Sequence, residues 1–391
     1  MSNNKELKAK RAKLFRDAAA FRKVDRIPYL SAAVTWKVFD AGESLVEAEN
    51  DYKVMEKCVR HFLDTYPVDC VLDIGIRNQF GVMKAFGSDG YYYVTEDTVG
   101  IHDHAYCTPE TIMDYLKDPE RYTWEKILPE KYGADWDAKT LSVWKNTFKA
   151  YMDYTKFILH IGSVAGKEYG IPSMAPNNPM KGTIRFGIEE CMANLLGIKQ
   201  LSIAMRRNAS LMDEFITAWD AEYIDPFVEK IKAGKGPDES YCFDASVIML
   251  AQNILNPKQF DRWYWPSLRK LLDAYTEKDM SIRIFAEGSI LQYADYFADY
   301  PKGVLTFHIE KDDPFEFRKR LPNAAIMGGM TTDLLGNASK DECVARAKLL
   351  CDELGKDGGF MMSEDKMLSY RNDAKAENLK AVCDFVRSYQ L

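Results

Sequence analysis

Downstream of about residue 240 the chain alternates between short apolar runs and longer segments whose apolar positions recur every three or four residues. The runs fall at 281–288 (SIRIFAEG), 303–309 (GVLTFHI), 324–329 (AAIMGG) and 358–362 (GGFMM), each bounded by Gly. None alternates cleanly with period two, which suits strands of a parallel sheet buried on both faces. The segments between them carry helix-start signals. Asn256-Pro257 with Gln259, and Asp313-Pro314 with Glu316, place a cap, a Pro in the first turn and a polar partner three residues after the cap. Ser339 and Glu342 form a capping-box pattern, and Val344, Ala347, Cys351 and Leu354 mark one buried helix face. Pro266 predicts a kink or a split in the helix that begins at Pro257. The last helix spans AKAENLKAVCDFVRSY.

The first half is less regular. Residues 27–34 and 70–76 predict early strands, and 80–157 read as an insertion with helical pieces. Another apolar stretch covers 158–176, with His160 expected in a strand, and 183–233 read as mostly helical. Strands alternating with helices indicate βα units, in either a closed barrel or an open doubly wound sheet. No G-x-G-x-x-G opens a first helix, which weakens the dinucleotide-binding version of the open sheet.

Composition narrows the classes. At 391 residues and 47% hydrophobic, the chain accommodates one large elaborated domain. A net charge of −7 argues against a nucleic-acid partner. The eight Cys form no C-x-x-C pair, and several fall on apolar helix faces as small hydrophobes. The charged start MSNNKELKAKRAK does not resemble a secretory signal, and no apolar run is long enough to span a membrane. A cytoplasmic, reduced protein is the expectation.

In a parallel barrel, function gathers at the C-terminal ends of the strands. The polar residues expected there are Asp73, Arg77 and Asn78, then Asp244 in YCFDAS, Glu287 in IFAEG, His308 in LTFHIE, and Glu364, Asp365 and Lys366 after GGFMM. Glu287 and His308 form the sharpest pair, because one βα unit separates them and their strands should be neighbours. Carboxylate plus imidazole serves as a zinc donor set or as an acid–base pair. The blander alternative is local capping and hydrogen bonding. His102-Asp103-His104 has metal-binding chemistry but reads more simply as a solvated loop.

The ordered segments PKQFDRWYWPSLRKLLDA, IFAEGS, YPKGVLTFHIEKDDPFEFRKRL, AAIMGGM, GGFMMSEDK and DAKAENLKAV resemble the uroporphyrinogen decarboxylase-like superfamily. The resemblance is looser before residue 250, at VDRIPY and DPERYTWEKILPEKYG. It implies a (β/α)₈ TIM barrel, here a single elaborated domain over 1–391 with an N-terminal extension and the helical insertion. The decarboxylases carry a Gln-Ala-Gly-Arg loop after the first strand, which is absent from IPYLSAAVTWKVFDAG. The thiol-directed methyltransferases bind zinc through His-x-Cys, and this position reads Phe285-Ala286-Glu287. The nearer resemblance is to the substrate-demethylating methyltransferases of anaerobic O-demethylases, which pass a methyl group from a phenyl methyl ether to a corrinoid protein.

Some of those enzymes carry a zinc motif of Glu, fourteen residues, Glu, twenty residues, His. Glu287 and His308 are separated by twenty residues, whereas the upstream position is Leu272. The resemblance therefore implies zinc held by Glu287 and His308, with Asp244 or Glu364 as candidate third ligands. It implies that Glu287 and His308 act on the ether oxygen, through a Lewis acid or by protonation. Trp36 and Phe285 are candidates for an aromatic slot, and Asp73, Arg77 and Asp244 for substrate contacts. The implied partners are a corrinoid protein and a vanillate-like methyl ether, with homodimer formation left open. A decarboxylase, or a corrinoid methyltransferase for another methyl donor, is the alternative.

Overall fold

The computed structural model describes residues 2–73, 80–87, 92–102, 104–133, 135–176 and 185–391. Nine strands occur among the described residues, in chain order: β1 Tyr29–Ser31, β2 Cys70–Val71, β3 Tyr92–Val94, β4 Val99–Ile101, β5 Ala245–Met249, β6 Ile282–Ala286, β7 Leu305–Ile309, β8 Ala325–Met330 and β9 Phe360–Glu364. Seven of them form one all-parallel sheet in the order β2-β1-β9-β8-β7-β6-β5. β3 and β4 pair separately as an antiparallel hairpin.

The gap between β2 and β5 is filled by 171–175, which carries no strand ladder. The carbonyls of Ser173 and Met174 accept from the N–H groups of Cys242 (3.2 Å) and Phe243 (2.8 Å), just before β5. On the other side the Cys70 thiol faces the Pro172 carbonyl at 3.5 Å. The barrel thus has eight staves in sequence order, seven strands and one irregular third stave, as expected for a (β/α)₈ fold.

Register divides each strand into two faces. Ile282, Ile284 and Ala286 share the large core with the surrounding helices. Arg283 and Phe285 alternate with them and point inward, in line with Thr306 and His308 of β7. The floor is closed by α1, Ser2–Ala19, whose Phe15, Ala18 and Ala19 pack against Leu30, Cys70, Phe243, Ala325, Met327 and Met361.

The local start signals are realised. Asn256 and Ser339 make full capping boxes, and the Asp313 carboxylate accepts from the N–H groups of Phe315 and Glu316. The helix expected to kink at Pro266 is split into Pro257–Trp263 and Trp265–Thr276. His160, however, lies on a 28-residue helix, Leu141–Glu168, exposed and paired with Glu56 at 3.0 Å. The stretch taken for a strand buries Phe157, Ile161, Val164 and Ala165, a spacing of three and four that is helical. Among the described residues no helix is long and apolar enough to cross a membrane.

Candidate active site

Glu287 directly follows β6 at the C-terminal rim, half-buried. Its carbonyl accepts from Gln252 Nε2 (2.6 Å) and Asn253 Nδ2 (2.8 Å). Gly288 then turns the chain at φ +73°, where a Cβ would lie 2.0 Å from Asn253 Oδ1, so only Gly fits. Its N–H donates to the Glu310 carboxylate after β7. Asp365, after β9, accepts from the Thr332 N–H at 3.3 Å, and burial pushes its carboxyl up to about 6. Glu310, Asp312, Thr331, Arg346 and Asp365 line a cleft of about 220 Å³ at this rim.

His308 stands lower, as the fourth of the five β7 residues, and is fully buried. Its cross-strand neighbour is Phe285, not Glu287, and the two rings meet edge-on at 4.9 Å. Arg283 Nη2 lies 2.6 Å from His308 Nδ1. A guanidinium only donates, so Nδ1 accepts and Nε2 carries the proton. That Nε2–H donates to the Glu364 carbonyl at 2.6 Å. Burial first, and Arg283 second, push the imidazole well below the usual histidine range. It is a neutral ring locked between a cation and a carbonyl.

Other expected site residues lie elsewhere. Asp244 precedes β5 and so belongs to the floor; the strand begins where YCFDAS was expected to end. Arg16 holds it at 2.8 and 3.1 Å, and the Ser281 N–H donates to it at 2.8 Å. The Glu364 carboxyl turns outward and accepts from Tyr29, Ser31 and the Ala32 N–H, because it follows the outward Met362 by two residues. Trp36 is core, 2% exposed, with its indole N–H on the Ala374 carbonyl and its ring against Tyr66. Asp73 is at the rim, and its carbonyl accepts from the buried Lys37 ammonium at 2.8 Å. Arg77 and Asn78 fall outside the described residues. His104 pairs with Glu130 in the insertion, away from the strands of the barrel.

Sequence reasoning missed Glu189. It is 6% exposed, and its Oε1 accepts from the Leu250 N–H (3.0 Å) and the Tyr264 hydroxyl (2.7 Å) at the C-terminal end of β5. Burial pushes its carboxyl up to about 7. The signal was present: two acids inside the apolar run FGIEECMANLL. Lys37 and Glu49 are also buried, and both feel the charge of Asp73; Glu49 is raised to about 7, by burial first and then by Asp73.

Residues 198–389 match the family model described as uroporphyrinogen decarboxylase (URO-D). Over that stretch the chain is similar to the uroporphyrinogen decarboxylases. No curated protein matches the sequence. Twenty-four solved chains match the structure. One, a methyltransferase from Methanosarcina mazei, is 13% identical, has a TM-score of 0.57 and covers 96% of this chain and 97% of its own. At that identity the likeness speaks for the fold alone, which extends over nearly the whole chain, including the part that the family model does not reach.

The zinc set implied by the sequence does not fit this site. Both nitrogens of His308 are engaged, one by a guanidinium that would repel a second cation. Asp244 is at the opposite end, and Glu364 points away. No group of three or more His, Cys, Asp and Glu side chains suited to a metal occurs among the described residues. What the rim offers is carboxyl groups that burial pushes up, Glu189 to about 7 and Asp365 to about 6.

Proposed function

We propose that this protein transfers a methyl group from an aryl methyl ether to the reduced corrinoid of a partner protein. The observation that carries this reading is Glu189, a rim carboxyl held near neutral pKa beside Tyr264. The likeness to a solved methyltransferase favours the same reaction class.

An aryl oxide is a poor leaving group, so the enzyme's task is to neutralise the departing oxygen. The reduced corrinoid supplies the nucleophile that accepts the methyl group. As the methyl carbon–oxygen bond breaks, its electron pair stays on oxygen, and Glu189 delivers the proton that makes a neutral phenol. Tyr264 and the Leu250 N–H hold Oε1 in place throughout. General acid help of this kind is worth about 10²–10⁴ in rate. Phe285 forms an apolar wall inside the barrel. The corrinoid protein docks over the C-terminal rim.

The test combines the purified protein with chemically reduced cobalamin and a panel of methoxybenzenes. Methyl-cobalt absorbance should appear with at least one ether, and methylation of none contradicts the reading. The family match favours a second reading, decarboxylation. Release of CO₂ from a polycarboxylate in place of methyl transfer would select it.

A further inference from the structure

The helix Leu141–Glu168 carries two apolar faces. One holds Phe157, Ile161 and Val164, which pack with Val38, Leu45, Met55 and Val59. The other is open to water. Leu141 is 84% exposed, Phe148 and Leu159 are 66% exposed, and Trp144 and Met152 belong to the same face. Trp124 extends it, because its ring meets Trp136 at 4.2 Å and Trp136 meets Trp144 at 6.2 Å. These six make up half of the large apolar side chains exposed among the described residues, and the others lie on other elements. Single exposed apolar residues are ordinary, whereas a contiguous patch marks an interaction surface. Together the six leave roughly 800 Å² open, comparable to one side of a standard protein–protein interface.

The spacing says what covers this face. Leu141, Phe148, Met152 and Leu159 are seven, four and seven residues apart, so the row reads the same from either end about Ala150. Seven, eleven and eighteen residues are close to two, three and five whole turns, which keeps the four side chains in one line. Such a row is its own complement in an antiparallel pair. Leu141 falls opposite Leu159 of a second copy, and Phe148 falls opposite its Met152, on both sides of a two-fold axis. Helical periodicity places Trp144 and Tyr151 on one flank of the row and Lys145, Lys149 and Lys156 on the other. The two-fold axis sets each flank against its own copy. Aromatic side chains therefore meet along one edge, while the lysines on the other edge extend into water.

We propose that this face joins two copies of the chain as an antiparallel, two-fold helix pair centred near Ala150. The pairing is independent of the methyl-transfer reading.

The test uses the full-length protein. Sedimentation at micromolar concentration should give twice the mass of one chain. Phe148→Glu places a charge beside the axis and should weaken the dimer about 100-fold or more. Its circular-dichroism spectrum should not change, because the side chain is exposed. The register is read with engineered cysteines, since all eight native ones are buried. In the antiparallel pair the two copies of Leu141 lie about 27 Å apart, as do the two copies of Leu159. Under a copper–phenanthroline oxidant, neither Leu141→Cys nor Leu159→Cys alone should form a disulfide-linked dimer, whereas their re-equilibrated mixture should. A monomer overturns the proposal; a monomer that sediments with anionic phosphatidylglycerol vesicles would assign the face to a lipid surface instead. A dimer that survives Phe148→Glu, crosslinks within either single cysteine variant, or fails to crosslink in the mixture overturns it as well. If the Glu variant does not fold, the crosslinking decides.

Discussion

At the floor of the barrel, Asp69 accepts from Arg26 at 2.6 Å through both oxygens and from Arg387 at 2.8 Å, and Arg16 grips Asp244. At the rim, Glu189, Glu364 and Asp365 are equally enclosed, yet none has an Arg or Lys within ion-pair distance among the described residues. The same residue type therefore meets opposite electrostatics at the two ends. Arg16 and backbone N–H groups hold Asp244 below its ordinary range despite burial, while burial pushes Glu189 and Glu364 up to about 7. Asp69 and Asp244 tie α1 and the C-terminal helix Ala376–Ser388 to the strands, and Asp244 stays charged. Rim acids are proton reservoirs at the end where barrel enzymes react.

The largest test breaks a floor pair. Arg16→Met leaves Asp244 buried without its partner and should cost about 3–5 kcal/mol in urea unfolding. Glu364→Gln at the rim replaces a carboxyl pushed up to about 7 by a neutral amide and should cost about 1 kcal/mol. A larger loss from the rim variant would reverse the comparison.

Next is catalysis. Glu189→Gln should lower methyl transfer by about 10²–10³ while leaving the unfolding midpoint nearly unchanged, as a lost proton donor would. Parallel loss of stability and activity would reduce Glu189 to a structural role.

The pH dependence follows with the opposite sign at each end. Glu189 and Glu364 have folded values near 7 against ordinary values of 4.5, so the folded state binds more protons between these limits. Their contribution is complete below about pH 4.5 and is lost as pH rises through 7, by up to about 3 kcal/mol per group. Asp244, depressed below 3.8, contributes above that value and loses its contribution in acid. Urea titrations from pH 5 to 8 should show stability falling with pH, and the fall should shrink in Glu364→Gln. A rise over that window would contradict the rim assignments. The smallest effect is at the surface: His160→Ala, at an exposed pair with Glu56, should change stability by less than about 0.5 kcal/mol.

What was legible in the sequence was local. The caps at Asn256, Asp313 and Ser339 depend on residues three apart, and β6 to β9 are apolar runs bounded by Gly. The irregular third stave has no such pattern, and its pairing comes from distant Cys242 and Phe243. Counting twenty residues between Glu287 and His308 did not give their heights: one follows its strand and the other lies within it. Arg283 was hidden inside SIRIFA, where a lone cation in a buried strand was the signal to follow. Glu189 reaches β5 from a separate helix, Gly187–Glu190, so strand ends alone did not reveal it.

The most direct test of the contrast between floor and rim is a carboxyl-carbon NMR titration of wild type and Glu189→Gln. The account predicts a resonance titrating near pH 7 that is missing from the variant, with Asp244 titrating below the ordinary Asp range. A Glu189 resonance titrating at or below 4.5 would contradict it.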